Sequence, residues 1–247
     1  MLKSVTRQRR FKRPRRCWWQ RGLVHLLILF LVFSIGLVVT FRWVPPPTSS
    51  LMLQTYFARR AYAPDAKGPA YAYQWTPYTA MSPALPLAVI AAEDQRFPNH
   101  YGFDMTEIQQ ALRDYWEGKG LRGASTISQQ VAKNLYLWSD RNLLRKGLEA
   151  WFTILLETFW SKRRILEVYL NIAQFGVGVF GVGAASQHYF GKPPAALTAA
   201  EAALLAAALP GPVIYRVEQP SPYVRQRQQW ILRHMNQLGG VRYLNKI

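Results

Sequence analysis

Apolar and polar positions divide the chain into segments of different period. The first is an apolar run, which from Leu23 to Phe41 is interrupted only by His25, Ser34, Gly36 and Thr40. Roughly 20 apolar residues span a bilayer as a helix, so a membrane anchor is predicted over 23–43. "VPPPTSS" (44–50) is a stiff, polar exit from it. Residues 51–80 mix Tyr, Ala, Pro and Gly with no clear period. From Ser82 the pattern becomes helical. In "SPALPLAVIAAE", Ser82 reads as the N-cap and Pro83 as the first helical residue. Further helices are predicted at 104–117 with an Asp104 cap, at 125–138 with a Ser125 cap, and at 142–160, 161–172, 198–209 and 221–238. Thr198 and Glu201 spell a T-x-x-E capping box, and Pro210–Gly211 end that helix. No stretch alternates with period two for long enough to suggest a sheet core. The region beyond the anchor is therefore expected to be mainly α and a single domain, 81–247, behind a juxtamembrane linker at 44–80.

Charge changes the picture at the N-terminus. The 247 residues carry 31 Lys/Arg against 13 Asp/Glu, a net charge of +18, and nine of those bases lie in residues 1–22, where there is no acid. A basic arm against an apolar span is what the positive-inside rule expects of a cytoplasmic flank, so the remainder is expected on the extracytoplasmic side. Because the span accounts for the arm, no nucleic-acid partner is expected. "FRWVPPPTSS" offers no small-x-small cleavage site, which favours a retained anchor over a cleaved signal peptide. The lone cysteine, Cys17, excludes an intramolecular disulfide framework and a cysteine zinc site.

Three stretches carry candidate chemistry. In "AVIAAEDQRFPNHYGFD" (88–104) a helix apolar on nearly every side runs into Glu93–Asp94. A carboxylate there is partly desolvated, which raises its pKa toward a general base's range. Asp94, Arg96, His100 and Asp104 read as supports behind it. In "GLRGASTISQQVAKNLYLW" (120–138), Ser125, Gln129 and Lys133 recur every four residues on one face, widened by Gln130 and Asn134, with Ile127, Val131 and Leu135 opposite. A solvated face normally carries charges of both signs; an amide-rich one suits hydrogen bonding to sugar or phosphate. In "DRNLLRKGLEAWF" (140–152), Glu149 sits among Leu148, Trp151 and Phe152, with Arg145 at i−4 as the plain structural partner. Glu157 and Glu167, flanked by basic turns, read as helix-stabilising pairs. "GVGVFG" (176–181) matches a dinucleotide fingerprint, but no βαβ pattern surrounds it.

Taken in order, "EDQRFPNHYGFD", "GASTISQQVAKNLYL", "RKGLE", "SKRRILEVYLN" and "GVGAASQHYFGKPPAALTAAEAALLAAALPGP" resemble the peptidoglycan glycosyltransferases. That family comprises the monofunctional biosynthetic transglycosylases and the matching domain of bifunctional penicillin-binding proteins. The resemblance covers roughly 83–215. It departs at Ala124 and Ser128, where the family commonly has Gly and Thr. No S-x-x-K occurs, so the monofunctional form is expected. The resemblance implies a lysozyme-like helical glycosyltransferase domain tethered to the bacterial inner membrane that polymerises lipid II with inversion. It implies Glu93 as general base and Glu149 as a second essential carboxylate on the donor side. Lys133 and Arg141 would hold the donor diphosphate, Ser125, Gln129, Gln130 and Asn134 would line the donor site, and Lys146 would add to it. Glu149 would alternatively orient those cations or hold a divalent ion; no cofactor is required by the sequence, and Mg or Mn remains open. Expected partners are lipid II, the nascent glycan-lipid, membrane lipids around 115–122 and 151–164, and other cell-wall or division proteins. The rival readings are a lytic enzyme that cleaves glycan and a non-enzymatic glycan-binding scaffold.

Overall fold

A computed structural model describes residues 17–63, 69–120, 123–140 and 142–247. Residues 1–16 of the basic arm, and Arg141, lie outside the described residues. The chain divides into two compact units at Leu37/Val38. Helix α1, Cys17–Phe41, supplies all of the described part of the first unit and the first residues of the second. Among the described residues it is the one helix long and apolar enough to cross a membrane, and it begins earlier than the predicted anchor.

The second unit is built from helices. In chain order they are α2 (Ser50–Tyr62), α3 (Ala84–Glu93), α4 (Met105–Trp116), α5 (Ile127–Tyr136), α6 (Leu143–Phe159), α7 (Lys162–Ile172), α8 (Gly181–Phe190), α9 (Ala199–Ala208) and α10 (Pro222–Gln237). One layer sets α3 against α9 and α10, another sets α5 against α6 and α7, and α3 also meets α7. Helix α3 is buried from Ala84 to Ala91, so its apolar residues face neighbours on every side. Helix α9 presents Ala and Leu, and its small side chains let α3 come close. Two of the four predicted caps are present: Asp104 accepts from Thr106 N and Glu107 N, and the Thr198–Glu201 capping box is complete.

Several expectations are corrected. Helix α3 starts one residue later than read: Pro83 is the cap position, although Ser82 Oγ still accepts from Ala84 N at 3.4 Å. The cap of α5 is Thr126 rather than Ser125, in a reciprocal box with Gln129. The neighbouring hydroxyl loses because only Thr126 stands three residues before a glutamine. Helices α2 and α8 had no predicted counterpart. Ser49 caps α2 by accepting from Met52 N, but α2 buries little else than Met52 and so carries no apolar stripe. A short three-stranded sheet of order β1-β3-β2 joins β1 (Ala72–Tyr73), β2 (Gln174–Gly176) and β3 (Val179–Phe180). The "GVGVFG" glycines thus serve a hairpin that runs into α8. Gly181, at φ +76°, packs so tightly that a Cβ would lie 2.5 Å from Asn171 O.

Within the second unit, α7 fastens the chain that leaves α1. Arg164 Nε and Nη2 donate to Phe41 O at 3.1 and 2.8 Å, and Nη2 also donates to Val44 O at 2.9 Å. Its guanidinium lies near the rings of Trp75 and Trp160. Trp160 Nε1 donates to Val38 O at 2.8 Å. Val38 and Phe41 lie in the last turn of α1, whose carbonyls lack intrahelical partners. Arg164 also pairs with Glu167 at 2.6 Å, and Glu167 accepts from Tyr78 N, so Glu167 has the structural role read for it. Glu157 likewise pairs with Lys162 at 2.8 Å.

Candidate active site

Glu93 is the last residue of α3, its side chain 14% exposed. One carboxylate oxygen, Oε2, accepts from Gln130 Nε2 on α5 at 3.0 Å. The other, Oε1, lies 3.6 Å from Arg227 Nη2 on α10. Tyr169 on α7 donates its hydroxyl to Gln130 Oε1 at 3.2 Å, which leaves the amide nitrogen facing Glu93. Burial pushes the Glu93 carboxyl above its ordinary value, opposed by Gln130 and Arg227. A carboxylate so placed is a better proton acceptor than a solvated one.

The residues behind Glu93 fix the turn that presents it. Asp94 is 4% exposed. Its Oδ1 and Oδ2 accept from His100 Nε2 at 2.9 and 3.1 Å, and Oδ2 also accepts from Ile127 N at 3.0 Å, the first amide of α5. The end of α3 is thereby tied to the start of the helix that carries Gln130 and Lys133. Gly102, at φ +84°, lies so close to α6 that a Cβ would sit 2.6 Å from Thr153 Cγ2. Its carbonyl accepts from Thr126 Oγ1 at 2.6 Å. Asp104 binds Arg96 at 3.3 Å. Asp94, His100 and Asp104 present oxygen and nitrogen atoms within 4.8 Å of one another. Most of that set is already engaged in the bonds above; only His100 Nδ1 and Asp104 Oδ2 are buried without a partner among the described residues.

Glu149, on α6, is 4% exposed and is gripped by two cations. Arg145 Nη1 donates to its Oε2 at 2.9 Å, and Lys146 Nζ donates to its Oε1. Arg145, read from the sequence only as a structural partner, is 11% exposed, with its Nε lacking a partner among the described residues. Lys133 has no hydrogen-bond or ion-pair partner among them. Burial pushes its ammonium down, helped by Arg145 and Lys146 and opposed by Glu149.

Two cavities organise these groups. The first, of about 400 Å³, is lined by Ser125, Gln129, Gln130, Lys133, Asn134, Arg145, Lys146, Glu149 and Tyr169, among others. The second, of about 680 Å³, is lined by Glu93, Asp94, Arg96, Asp104, Glu107, Arg227 and Trp230, among others. Ser125 and Gln130 belong to both. The first holds three cations against one carboxylate, so an anion is favoured there; the second holds four carboxylates against two arginines. The structure therefore brings Ser125, Gln129, Gln130, Lys133, Asn134, Lys146 and Glu149 onto one wall and sets Glu93 next door. Gln129 and Gln130 are less free than the sequence suggested: Gln129 Oε1 accepts from Thr126 N, and both ends of Gln130 are engaged. Sequence reasoning missed Arg145 as a lining cation, Arg227 and Tyr169. Tyr169 stands among apolar residues of α7 with no local mark of a site residue, and the helix predicted at 221–238 carried no sign that Arg227 would reach Glu93.

The membrane-facing stretches read from the sequence divide in two. Tyr115 and Trp116 are exposed; in 151–164, Ile154 is exposed while Phe152 and Trp160 are core residues, and 121–122 lie outside the described residues. Leu143 and Leu144, at the start of α6, are instead 91% and 70% exposed.

A family model described as transglycosylase matches residues 66–236. A biosynthetic peptidoglycan transglycosylase of Aeromonas hydrophila subsp. hydrophila is 54% identical over 226 residues, covering 92% of this chain and 94% of that protein. One from Pasteurella multocida is 52% identical over 241 residues, 95% of this chain and 97% of its own. One from Xylella fastidiosa is 50% identical over 228 residues, 92% and 93%.

Proposed function

The chain belongs to the transglycosylase family, and on that premise we propose that its two adjoining cavities polymerise lipid II into β-1,4-linked glycan. It is a peptidoglycan glycosyltransferase of cell-wall synthesis with a mainly α, lysozyme-like domain. The observation that carries the finer reading is the charge division across Gln130, with a buried carboxylate on one side and a cationic wall on the other. The acceptor sugar occupies the Glu93 cavity and its 4-hydroxyl gives its proton to Glu93 as it attacks the donor's anomeric carbon. The C–O bond to the diphosphate breaks on the opposite face, so configuration inverts. A diphosphate leaves more readily than the alkoxide of a glycoside hydrolase. One base and positive charge at the departing oxygens suffice, and no second acid is needed.

Lys133, Arg145 and Lys146 supply that charge, with Arg141 as a further proposed ligand. Ser125 and Asn134 hydrogen-bond the donor, and Gln130 aims Glu93. Glu149 fixes the two cations. Its oxygens are both engaged by them, so a Mg or Mn ion at Glu149 would have to displace Arg145 or Lys146. The apolar α1, next to a basic arm, supports anchorage in the bacterial inner membrane with the catalytic unit on the outer side. Tethering keeps enzyme and lipid substrate at one surface.

The test is purified full-length protein in liposomes with lipid II. Glycan chains should lengthen as lipid II is consumed, and Glu93→Gln should stop this without lowering the melting temperature. Shortening of preformed glycan without lipid II consumption would establish the lytic reading instead. A chain that binds glycan and does neither would be a scaffold.

A further inference from the structure

We propose that Arg227, on α10, is a positioning residue for the reaction: it holds the Glu93 carboxylate ionised and aimed into the second cavity. This rests on the reading of Glu93 as the base. Gln130 grips one oxygen of Glu93 from α5, and Arg227 faces the other from α10. The carboxylate is thus held between two helices, neither of which is its own. At 3.6 Å the Arg227 contact is a charge interaction rather than a hydrogen bond. Arg227 Nη2 also reaches Ala92 O at 3.5 Å, which registers the guanidinium on the last turn of α3.

The surroundings show why a cation is needed. Glu93 faces Asp94 at its own helix end, Gln130 and Lys133 from α5, and Tyr169 from α7. Helix α9 packs on α3, and its one titratable side chain, Glu201, is bound to Lys192 at 2.7 Å. From the C-terminal turn, Tyr243 donates to Gln95 O. Burial raises Glu93 most, and Asp94 raises it further. Gln130 opposes them most, followed by Arg227, the stronger of the two opposing cations, and Lys133. Without Arg227 the base faces a burial penalty and a neighbouring negative charge with the neutral Gln130 amide and the weaker Lys133 charge to offset them. Arg227 Nε is also buried without a partner among the described residues.

Arg227→Met keeps length and packing but removes the charge; Arg227→Lys keeps a charge. Polymerisation of lipid II is measured against pH for wild type and both variants. The expected result is that the acidic limb of kcat/KM moves up by about one pH unit in Arg227→Met, the scale of one nearby opposite charge. Arg227→Lys should recover most of that shift. An unmoved limb in Arg227→Met, or an equal shift in both variants, would overturn the proposal. A thermal double-mutant cycle with Glu93→Gln gives a second, activity-free reading. The melting-temperature loss from Arg227→Met should shrink in the Glu93→Gln background, and equal losses in both backgrounds would also overturn it. The cycle remains readable if the wild-type chain does not polymerise lipid II. Failure of the functional reading is thereby distinguished from failure of the pairing.

Discussion

Replacing Asp94 with alanine removes the acceptor that joins the end of α3 to the start of α5. Two buried donors lose their partner: Ile127 N, at 3.0 Å, and His100 Nε2, at 2.9 Å. An orphaned buried donor costs about 1–3 kcal/mol, more where the lost bond was to a charge. Two of them place the loss near 4 kcal/mol, within the roughly 3–5 kcal/mol seen when one member of a buried pair is removed. Asp94→Asn keeps an oxygen that can accept from Ile127 N and loses the charge toward His100, so it should cost about half as much. A chain of this size shifts by roughly 2–4 °C per kcal/mol. The expected drops are therefore about 12 °C for Asp94→Ala and about 6 °C for Asp94→Asn. The assay is thermal unfolding in detergent micelles, followed by far-UV circular dichroism at one scan rate and at neutral pH. Because α5 carries Gln130 and Lys133, lipid II polymerisation should fall with stability in the same order. Equal drops in the two variants, or a drop under about 2 °C for alanine, would refute the view that this carboxylate ties the two helices together.

Other expectations follow from the same contacts. Burial lifts Glu93 above its unfolded value, so its contribution to stability is present at low pH and lost as pH rises through the raised value; Glu93→Gln should therefore melt higher than wild type at pH 7 while making no polymer. For the same reason the wild-type rate should fall on the acid side at a pH above the ordinary carboxylate range, read from the pH profile of kcat/KM. Lys133→Met removes a cation that burial and two basic neighbours already disfavour; kcat should drop about 100-fold or more with no loss of melting temperature. Glu149→Gln leaves Arg145 and Lys146 unpaired around a buried site and should destabilise the fold by about 3 kcal/mol, so it should lose stability as well as activity in a paired melting and polymerisation assay.

Much of this architecture is readable where local chemistry and burial agree. Helix α9 announces itself through Thr198 and Glu201, and the buried α3 through eight apolar residues that end at Glu93. The Thr126–Gln129 box was equally present in the letters, and choosing Ser125 overlooked the three-residue spacing to glutamine. Helix α2 was hidden for a physical reason: it is half exposed, and only its Ser49 cap betrays it. Helix α8 opens with Gly181 and Gly183, residues poor for helices, because the Asn171 and Gln74 backbones leave no room for a Cβ there. The site was legible as residue types along one stripe of α5. Its division into two cavities was not, because Gln130 and Glu93 meet only after α3 and α5 dock. The Arg227 contact has no local signature at all; it exists because α10 packs beside α3.

The grip of Arg164 on Phe41 O and Val44 O has a mechanical side. Chain tension on Phe41 and Val44 enters at α7, through three hydrogen bonds from Arg164 rather than through a slack loop. Five residues along the same helix, Tyr169 sets the orientation of Gln130 and so the aim of Glu93. The path from the end of α1 to Glu93 thus runs along one helix, which makes α7 a lever arm as well as a wall of the core.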